Sequence, residues 1–447
     1  MSKLRTLSLN LSKEQIKRVS KNFISLVTLN SSLTLSQILF PPLMITFYGL
    51  ENFGIWVFLT ALPSVLSVLN FDLNEAAKTE MSIYFNKNNK NKINEIFNNS
   101  IILTVIFIFI LSIIGFVIIN FFDFKLEILK NLNSDELNLI LICVFLSFYL
   151  NIFNSIFKTG ITYWGRLDIS TYIETFFDLS TKILIIILGF FFEKLMFAFI
   201  ALLFVGILKT FIFYFFFINY NKYLTLFSFN LISKKLLLKL FKLSVPYYLD
   251  TSSNIIKHSF QIIIIGTFFN AQVVGLISTF KTLFYFLPLR VWSVFSKVIF
   301  YEFTKLYAEK KFNKLKYIYF KSLKIGSLFI VTFVILSFLM GEYLYSFWLN
   351  NSYNFDYYLL ILIVLDLVFF ISARSAAFIN KSINKFFETS LTEIIINLLI
   401  IINVFFLFVN NQSIYYLFVF NLIGSIIIFI YSIYYSLNLK IFQKYKY

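Results

Sequence analysis

The chain has 447 residues, 59% of them hydrophobic and 14% charged, with a mean hydropathy of +0.82. Soluble domains are about 45–50% apolar and about 25% charged, so a soluble globular domain is excluded, and the net charge of +17 is not expected to serve a nucleic-acid partner. One cysteine, Cys143, and one histidine, His258, leave no material for an intramolecular disulfide, a zinc site or a histidine-based triad; there is no GxxxxGK[ST] sequence either, so neither cofactor nor nucleotide hydrolysis is expected.

A helix needs about 20 predominantly apolar residues to cross the hydrocarbon core. Twelve such stretches are predicted, at 22–47, 52–72, 99–121, 137–157, 170–192, 195–218, 244–268, 272–296, 318–340, 357–378, 389–409 and 413–435. Each is too long and continuous for an outer-membrane strand, which alternates over about ten residues. The expected fold is an all-α membrane bundle. The first stretch lacks a small-residue cleavage site, so a removable signal peptide is not expected.

Lys and Arg gather at the N-terminus (Lys3, Arg5, Lys13, Lys17, Arg18, Lys21), in the alternate loops 73–98, 158–168, 219–243, 297–324 and 379–387, and at Lys440, Lys444 and Lys446. These hold 30 of the 39 basic residues; the intervening loops hold 3, and 6 fall within spans. This bias places the basic loops and both termini in the cytoplasm. An even number of spans requires the same of the termini.

The landmarks repeat at an offset of about 220 residues: Gly54 of "ENFG" maps onto Gly275 of "AQVVG", and basic loop 73–98 onto 297–324. The chain therefore reads as two six-helix lobes, 1–218 and 244–447, joined by a cytoplasmic linker, 219–243, and related by an axis along the membrane normal. Asn30, Thr34, Gln37 and Pro41 lie on one face of the first span. Asp250, Asn254, Lys257 and Gln261 repeat the spacing in the seventh. If the two stripes face each other they line a shared cavity. "LISKKLLLKLFKL" in the linker reads as a basic amphipathic helix on the membrane surface, or simply as a solvated connector.

An ionisable group at the bilayer centre costs about 2.5–3.5 kcal/mol on insertion scales and by default marks a pathway. The basic ones are Lys182, Lys209, Lys257, Lys281, Arg290 and Arg374; the acidic ones are Glu174, Asp178, Asp250 and Asp366, with Glu393 nearer an end. Lys257, with Asp250 and Asn254 on its face, is expected to meet a water-filled cavity. Glu174, Asp178 and Lys182 follow at i, i+4, i+8 and read as an internal ion-pair ladder or as substrate contacts. Arg374 either snorkels to the headgroups or lines the pathway. His258, rotated away from Lys257, is either a packing residue or a coupling residue. Lys281 and Arg290 flank Pro288, an expected kink. The set is mildly basic and suits an anion such as a phosphate or diphosphate.

Twelve spans in two lobes, the early "YGLENFGIWVFLTALPSVLSVLNFDL", the seventh and eighth spans "SVPYYLDTSSNIIKHSFQIIIIGTFFNAQVVGLISTFKTL" and the following "YEFTKLYAEKKFNKLK" resemble the polysaccharide transporters of the multidrug/oligosaccharidyl-lipid/polysaccharide exporter (MOP) superfamily, most closely the Wzx-type O-antigen flippases. The family's Gly-Val-Pro appears here as Ser244-Val245-Pro246. The resemblance implies a non-enzymatic flippase of the bacterial inner membrane, which moves an undecaprenyl-diphosphate-linked glycan to the periplasmic leaflet by alternating access. Coupling to H+ or Na+ and cooperation with polysaccharide polymerase machinery are also implied. On that reading Lys257, Lys281, Arg290 and Arg374, with Asn30, Gln37 and Asn254, form the substrate site, and Asp250, Asp366, Glu174, Asp178 and His258 are the coupling candidates. The 62 Phe and 27 Tyr either stack on sugars and grip the lipid tail or are lipid-facing filler.

A MATE-like multidrug or cation antiporter is the first rival. It is disfavoured by the lack of any acid between Asn22 and Phe47. A polytopic polymerase or glycosyltransferase is the second; its catalytic groups would have to come from short outer loops holding little beyond Asp123, Glu127, Asp135, Glu136, Glu342 and Asp356. A channel lacks a recognisable filter sequence.

Overall fold

A computed structural model of the chain describes residues 13–69, 73–121, 126–221, 224–226, 228–309, 311–350, 353–382 and 386–438. These residues form helices and no strands. The helices are α1 (Lys13–Leu66), α2 (Leu73–Asn86), α3 (Lys90–Phe121), α4 (Ser134–Thr162), α5 (Leu167–Phe192), α6 (Leu195–Tyr220), α7 (Lys234–Ile255), α8 (Gln261–Phe268), α9 (Ala271–Lys281), α10 (Leu287–Ala308), α11 (Phe312–Trp348), α12 (Tyr357–Ser382), α13 (Phe387–Val409) and α14 (Tyr415–Leu437). π-helical turns at Ile256–Phe260 and Thr282–Phe286 join α7 to α8 and α9 to α10.

Ten of the described helices are long and apolar enough to cross a membrane. Two local features account for the difference from twelve. Helix α1 carries the first two predicted spans in one run, broken at Gly49, whose φ of 83° and ψ of 160° end one helix and start the next; an L side chain adopts that backbone only with strain. The seventh predicted span is too polar to count as an apolar crossing, since Asp250, Asn254, Lys257, His258 and Gln261 fall within it; the eighth, Ala271–Ser296, is long and apolar enough across its own π turn.

Helical order also reaches into stretches read as loops. Helix α2 and the start of α3 occupy most of 73–98, and α10 and α11 extend to Ala308 and Phe312. The segment expected to lie on the membrane surface, from Lys234 onward, continues directly into the helix that bears Asp250. Its Leu- and Lys-rich sequence has high helix propensity and no glycine to stop it.

The chain divides into two compact units. The first comprises Met1–Ser36, Leu69–Phe122 and Asp135–Ser244; the second comprises Gln37–Val68, Asp123–Ser134 and Val245–Tyr447. In the first unit α2, α3, α4 and α6 close on a core that includes Met81, Phe97, Ile156, Phe157, Phe213 and Phe217. Phe97 and Phe217 stack at 5.5 Å. The asparagines of "NEIFNNS" on α3 bind the irregular segment that leads to α7. Asn98 donates to the Thr225 carbonyl at 3.0 Å and accepts from the Ser228 amide at 2.7 Å, while Asn99 does the same for Leu231 and Ser233 at 2.8 and 3.0 Å. Backbone groups that no helix satisfies are thereby satisfied by side chains.

In the second unit α12 is the hub and the most deeply buried of the ten spans. Its small residues Ala373, Ser375, Ala376 and Ala377 are buried and permit close helix approach. Ser436 of α14 donates to the Ala376 carbonyl at 2.8 Å, and Asn380 donates back to Ser436 at 3.0 Å. Residues 37–68 belong to this unit: the Trp348 indole donates to the Ile38 carbonyl at 2.7 Å. Gly54 and Gly275, matched by the 220-residue repeat, meet at one crossing. A Cβ on Gly54 would lie 1.8 Å from the Ala271 carbonyl oxygen, and one on Gly275 would lie 2.8 Å from the Leu50 carbonyl oxygen. Both obstacles are backbone, so a side chain has nowhere to go.

Gly54→Leu and Gly275→Leu are each expected to destabilise the second unit by at least the ~1–3 kcal/mol typical of overpacking. Gly206→Ala, whose Cβ would meet only Leu150 Cδ1 at 3.8 Å, should be neutral. Thermal unfolding midpoints in detergent check this; unchanged midpoints for both leucine variants would contradict the crossing.

Candidate functional site

The unusual part of the second unit is a charge network inside its spans, and each member is placed by helical periodicity. On α7 and the π turn that follows, Asp250, Asn254 and Lys257 point the same way. The π turn encloses Lys257 and His258; an inserted residue of this kind widens the helix locally and recurs at functional sites. On α12, Asp366, Phe370 and Arg374 follow at intervals of four, and Lys381 lies two turns further. Helix α13 adds Glu393 and Asn397, and α14 adds Asn421 and Ser425, again four apart.

Three linked groups result. In the first, the Lys257 amine donates to Asp366 Oδ1 at 2.9 Å and to Ser425 Oγ at 2.7 Å, and Ser425 donates in turn to Asp366 at 2.5 Å. The Lys257 and Asp366 side chains are only 3% and 7% exposed, so the pair is sealed from its surroundings. In the second, Arg374 joins Asp250 at 2.7 Å and Glu393 at 2.9 Å and donates to Asn254 Oδ1 at 3.0 Å. Lys381 shares the same Asp250 oxygen at 2.7 Å. In the third, the Lys281 amine donates to Gln261 Oε1 at 3.1 Å while Gln261 and Asn421 bond each other reciprocally at 2.6 and 3.2 Å.

Aromatic faces complete the surroundings. Phe370 lies under both Lys257, at 4.5 Å, and Arg374, at 5.1 Å. Cation–π attraction of this kind strengthens as water is removed.

The balance of charge is uneven. Lys257, Lys281, Arg374 and Lys381 face Asp250, Asp366 and Glu393, which leaves one cation more than the carboxylates. Lys281 is that cation. It is 5% exposed, makes no ion pair among the described residues, and has Gln261 and, at 6.0 Å, the Phe418 ring for company. Arg374, read as either a snorkelling or a pathway residue, points inward to Asp250 and Glu393.

The remaining candidates are dispersed. His258 sits among the rings of Tyr285, Phe286 and Phe370 at 5.4, 5.2 and 6.3 Å, and its Nδ1 is enclosed without a hydrogen-bond partner. Arg290 is half-buried on α10. Gln37 is half-buried, with its Oε1 enclosed and unbonded. Asn30 lies in the first unit, where its carbonyl accepts from Thr34 at 2.8 Å.

Also in the first unit, Asp178 pairs with Lys182 at 2.8 Å, and Lys182 donates to Ser36 at 2.7 Å. Glu174 does not extend that ladder; it pairs across to Lys158 of α4 at 2.8 Å.

Sequence reasoning passed over Lys381, Ser425, Asn421 and the Arg374–Glu393 pair. Lys381 had been counted with a basic loop, whereas α12 continues through it. Asn421 and Ser425, two polar residues one turn apart in an apolar helix, were a legible signal. Among the described residues no group of three or more His, Cys, Asp or Glu is placed to hold a metal ion.

The sequence matches the polysaccharide biosynthesis protein family over residues 19–307. Among solved structures, the chain is similar to an inward-facing multidrug-resistance MATE family transporter of the MOP superfamily, with 15% identity, 94% of this chain and 99% of that one covered, and a TM-score of 0.68. It is also similar to a MOP superfamily transporter from Pyrococcus furiosus in which the reverse polarity of the binding pocket suggests a different function, with 16% identity, 94% of each chain covered and a TM-score of 0.63. An outward-facing MATE family transporter gives 16% identity, 93% and 96% coverage and a TM-score of 0.59. A comparison with curated proteins finds no match. At these identities the structures establish the fold, and the family match spans more than half of the sequence. The chain has the fold of the MATE/MOP transporters and belongs to the polysaccharide biosynthesis protein family.

Proposed function

We propose that the protein is a flippase that carries an undecaprenyl-diphosphate-linked oligosaccharide across a bacterial inner membrane by alternating access, with residues 1–218 and 244–447 as its two lobes and 219–243 as their cytoplasmic linker. One observation carries this reading: the intramembrane network of the second unit holds four cations against three carboxylates, and Lys281 has no carboxylate of its own. A surplus cation in a region of low dielectric favours an anionic guest. A diphosphate accepts charge-assisted bonds from Lys and Arg.

The network also suggests how transport is driven. A diphosphate that draws Lys257 and Arg374 toward itself leaves Asp366 and Glu393 without their cations and Asp250 with Lys381 alone. A proton or a sodium ion then stabilises the vacated carboxylates, and its departure restores the original pairs and releases the cargo. Glu174 and Asp178, in partly exposed pairs of the first unit, offer a second place for such an ion. The antiporter reading is less well supported, because every network carboxylate already holds a Lys or Arg, and a cationic drug would meet a surplus of its own sign.

Two predictions separate transport from folding. Lys281→Met removes a buried cation without stranding a carboxylate, so the variant should fold at least as well as the parent and yet lose most surface polysaccharide, by about tenfold or more, the factor that ~1.4 kcal/mol represents. Full display by a well-folded Lys281→Met protein would count against the proposal.

Lys257→Met or Asp366→Leu alone strands a buried charge, and each is expected to cost about 3–5 kcal/mol. The double variant should recover most of that stability while remaining inactive. Unfolding midpoints and polysaccharide display, measured on the same three proteins, test this; a double variant that regains transport would show the pair to be dispensable.

A further inference from the structure

At the Lys- and Arg-rich end of the first unit, which the charge bias assigns to the cytoplasm, a cavity of about 200 Å³ is lined by Phe85, Asn88, Lys90, Tyr163, Trp164 and Tyr220, together with Ile93 and Leu224. None of these residues belongs to the charge network of the second unit. Drug-sized ligands occupy pockets of about 300–1,000 Å³, so this one suits a group the size of a single ring.

The walls are held by specific bonds. Between α4 and α5, Ser82 of α2 donates to the Tyr163 carbonyl at 2.7 Å and so fixes the turn that presents Tyr163 and Trp164. Arg166 is clamped by Asp168 through two bonds at 2.8 and 3.1 Å. Its guanidinium lies 5.7 Å from the Trp164 ring and 5.7 Å from the Tyr220 ring. Between α2 and α3, the Asn88 amide donates to the Phe85 carbonyl at 3.0 Å, and Phe85 meets Tyr163 edge-on at 5.7 Å. Leu224 adjoins Thr225, the residue anchored by Asn98. The rings are therefore preorganised, and Tyr220 and Phe85 remain 41% and 38% exposed.

Aromatic boxes commonly hold quaternary ammonium groups. Here Arg166 already occupies the faces of Trp164 and Tyr220, and Lys90 lines the same cavity, so a cation is repelled. What remains is a flat-faced group of neutral or negative charge, able to lay C–H bonds on the rings and to accept hydrogen bonds from Asn88 and Lys90. We propose that this cavity is a docking subsite for one sugar ring, neutral or acidic, of the glycan on the cytoplasmic side. The inference rests on the flippase reading above and adds a place where the glycan is first held.

The test is saturation-transfer NMR on the full-length protein in lipid nanodiscs, with N-acetylglucosamine, galactose, glucuronate and choline as probes. Transfer to at least one of the sugars is expected, with none to choline. Tyr220→Leu and Trp164→Leu should each abolish it; Tyr220 is the more exposed of the two, so its variant keeps the test open if the Trp164 variant does not fold. Lys90→Gln should weaken glucuronate by about tenfold, as expected for loss of a charge-assisted bond, and leave N-acetylglucosamine within about twofold. The subsite is overturned if no sugar receives transfer, if both leucine variants retain it, or if choline is the preferred probe. Free sugars report without transport, so this outcome is read separately from the Lys281→Met display experiment, and sugar binding should persist in that variant.

Discussion

Helix α12 presents Asp366, Phe370 and Arg374 along one face, and the second unit is organised around satisfying them. Asp366 is answered by Lys257 and Ser425, Arg374 by Asp250 and Glu393, and Phe370 lies beneath both cations. In a bilayer an unanswered charge has no water to turn to. The residues that reach these charges fix which faces of α7, α13 and α14 turn toward α12, as the buried small residues of α12 fix how near they come. Apolar packing alone would not select those faces, because lipid solvates leucine as well as another helix does.

The same constraint is why we propose a role in transport for the network beyond its role in packing. A protein that needed only to fold would gain by replacing a buried ion pair with apolar residues of similar volume, a change that is often neutral or stabilising. This chain instead keeps Lys281, a cation held by an amide and a ring. It also places Lys257 and His258 of its seventh span on a π turn. Burying Lys281 costs desolvation, and the anionic guest proposed above would give both features a use.

Much of the fold was legible in the sequence. Runs of about twenty apolar residues marked the spans, and the lysine bias marked their ends. The pairing of Gly54 with Gly275, first visible as a repeat, corresponds to a place where two helices touch through their backbones. The boundaries were harder. Helices α2, α10 and α11 continue where hydropathy falls, since helical propensity does not stop at the membrane surface.

Within the site, Lys257, Asp250, Asn254, Arg374 and Asp366 were recognisable because a charge among apolar residues stands out. Lys381 was not, since a lysine near a span's end looks like any other cytoplasmic lysine until α12 is seen to carry it to Asp250. Ser425 and Asn421 stand one turn apart in an apolar helix and are legible as a polar pair, but only the fold shows what each one touches. The aromatic cavity was equally hidden: its rings come from three separate turns, and nothing in the spacing of Phe85, Trp164 and Tyr220 links them.

The central claim is that the buried cations of the second unit recognise phosphate charge. It is tested most directly by the unfolding midpoint of the purified protein titrated with undecaprenyl diphosphate, against undecaprenol as a control with the same tail. A ligand that binds only the folded state raises the midpoint with concentration. The diphosphate should raise it well beyond the alcohol, with a margin that narrows as salt increases. Equal shifts for the two lipids, at every salt concentration, would mean that only the hydrocarbon is recognised and would contradict the account.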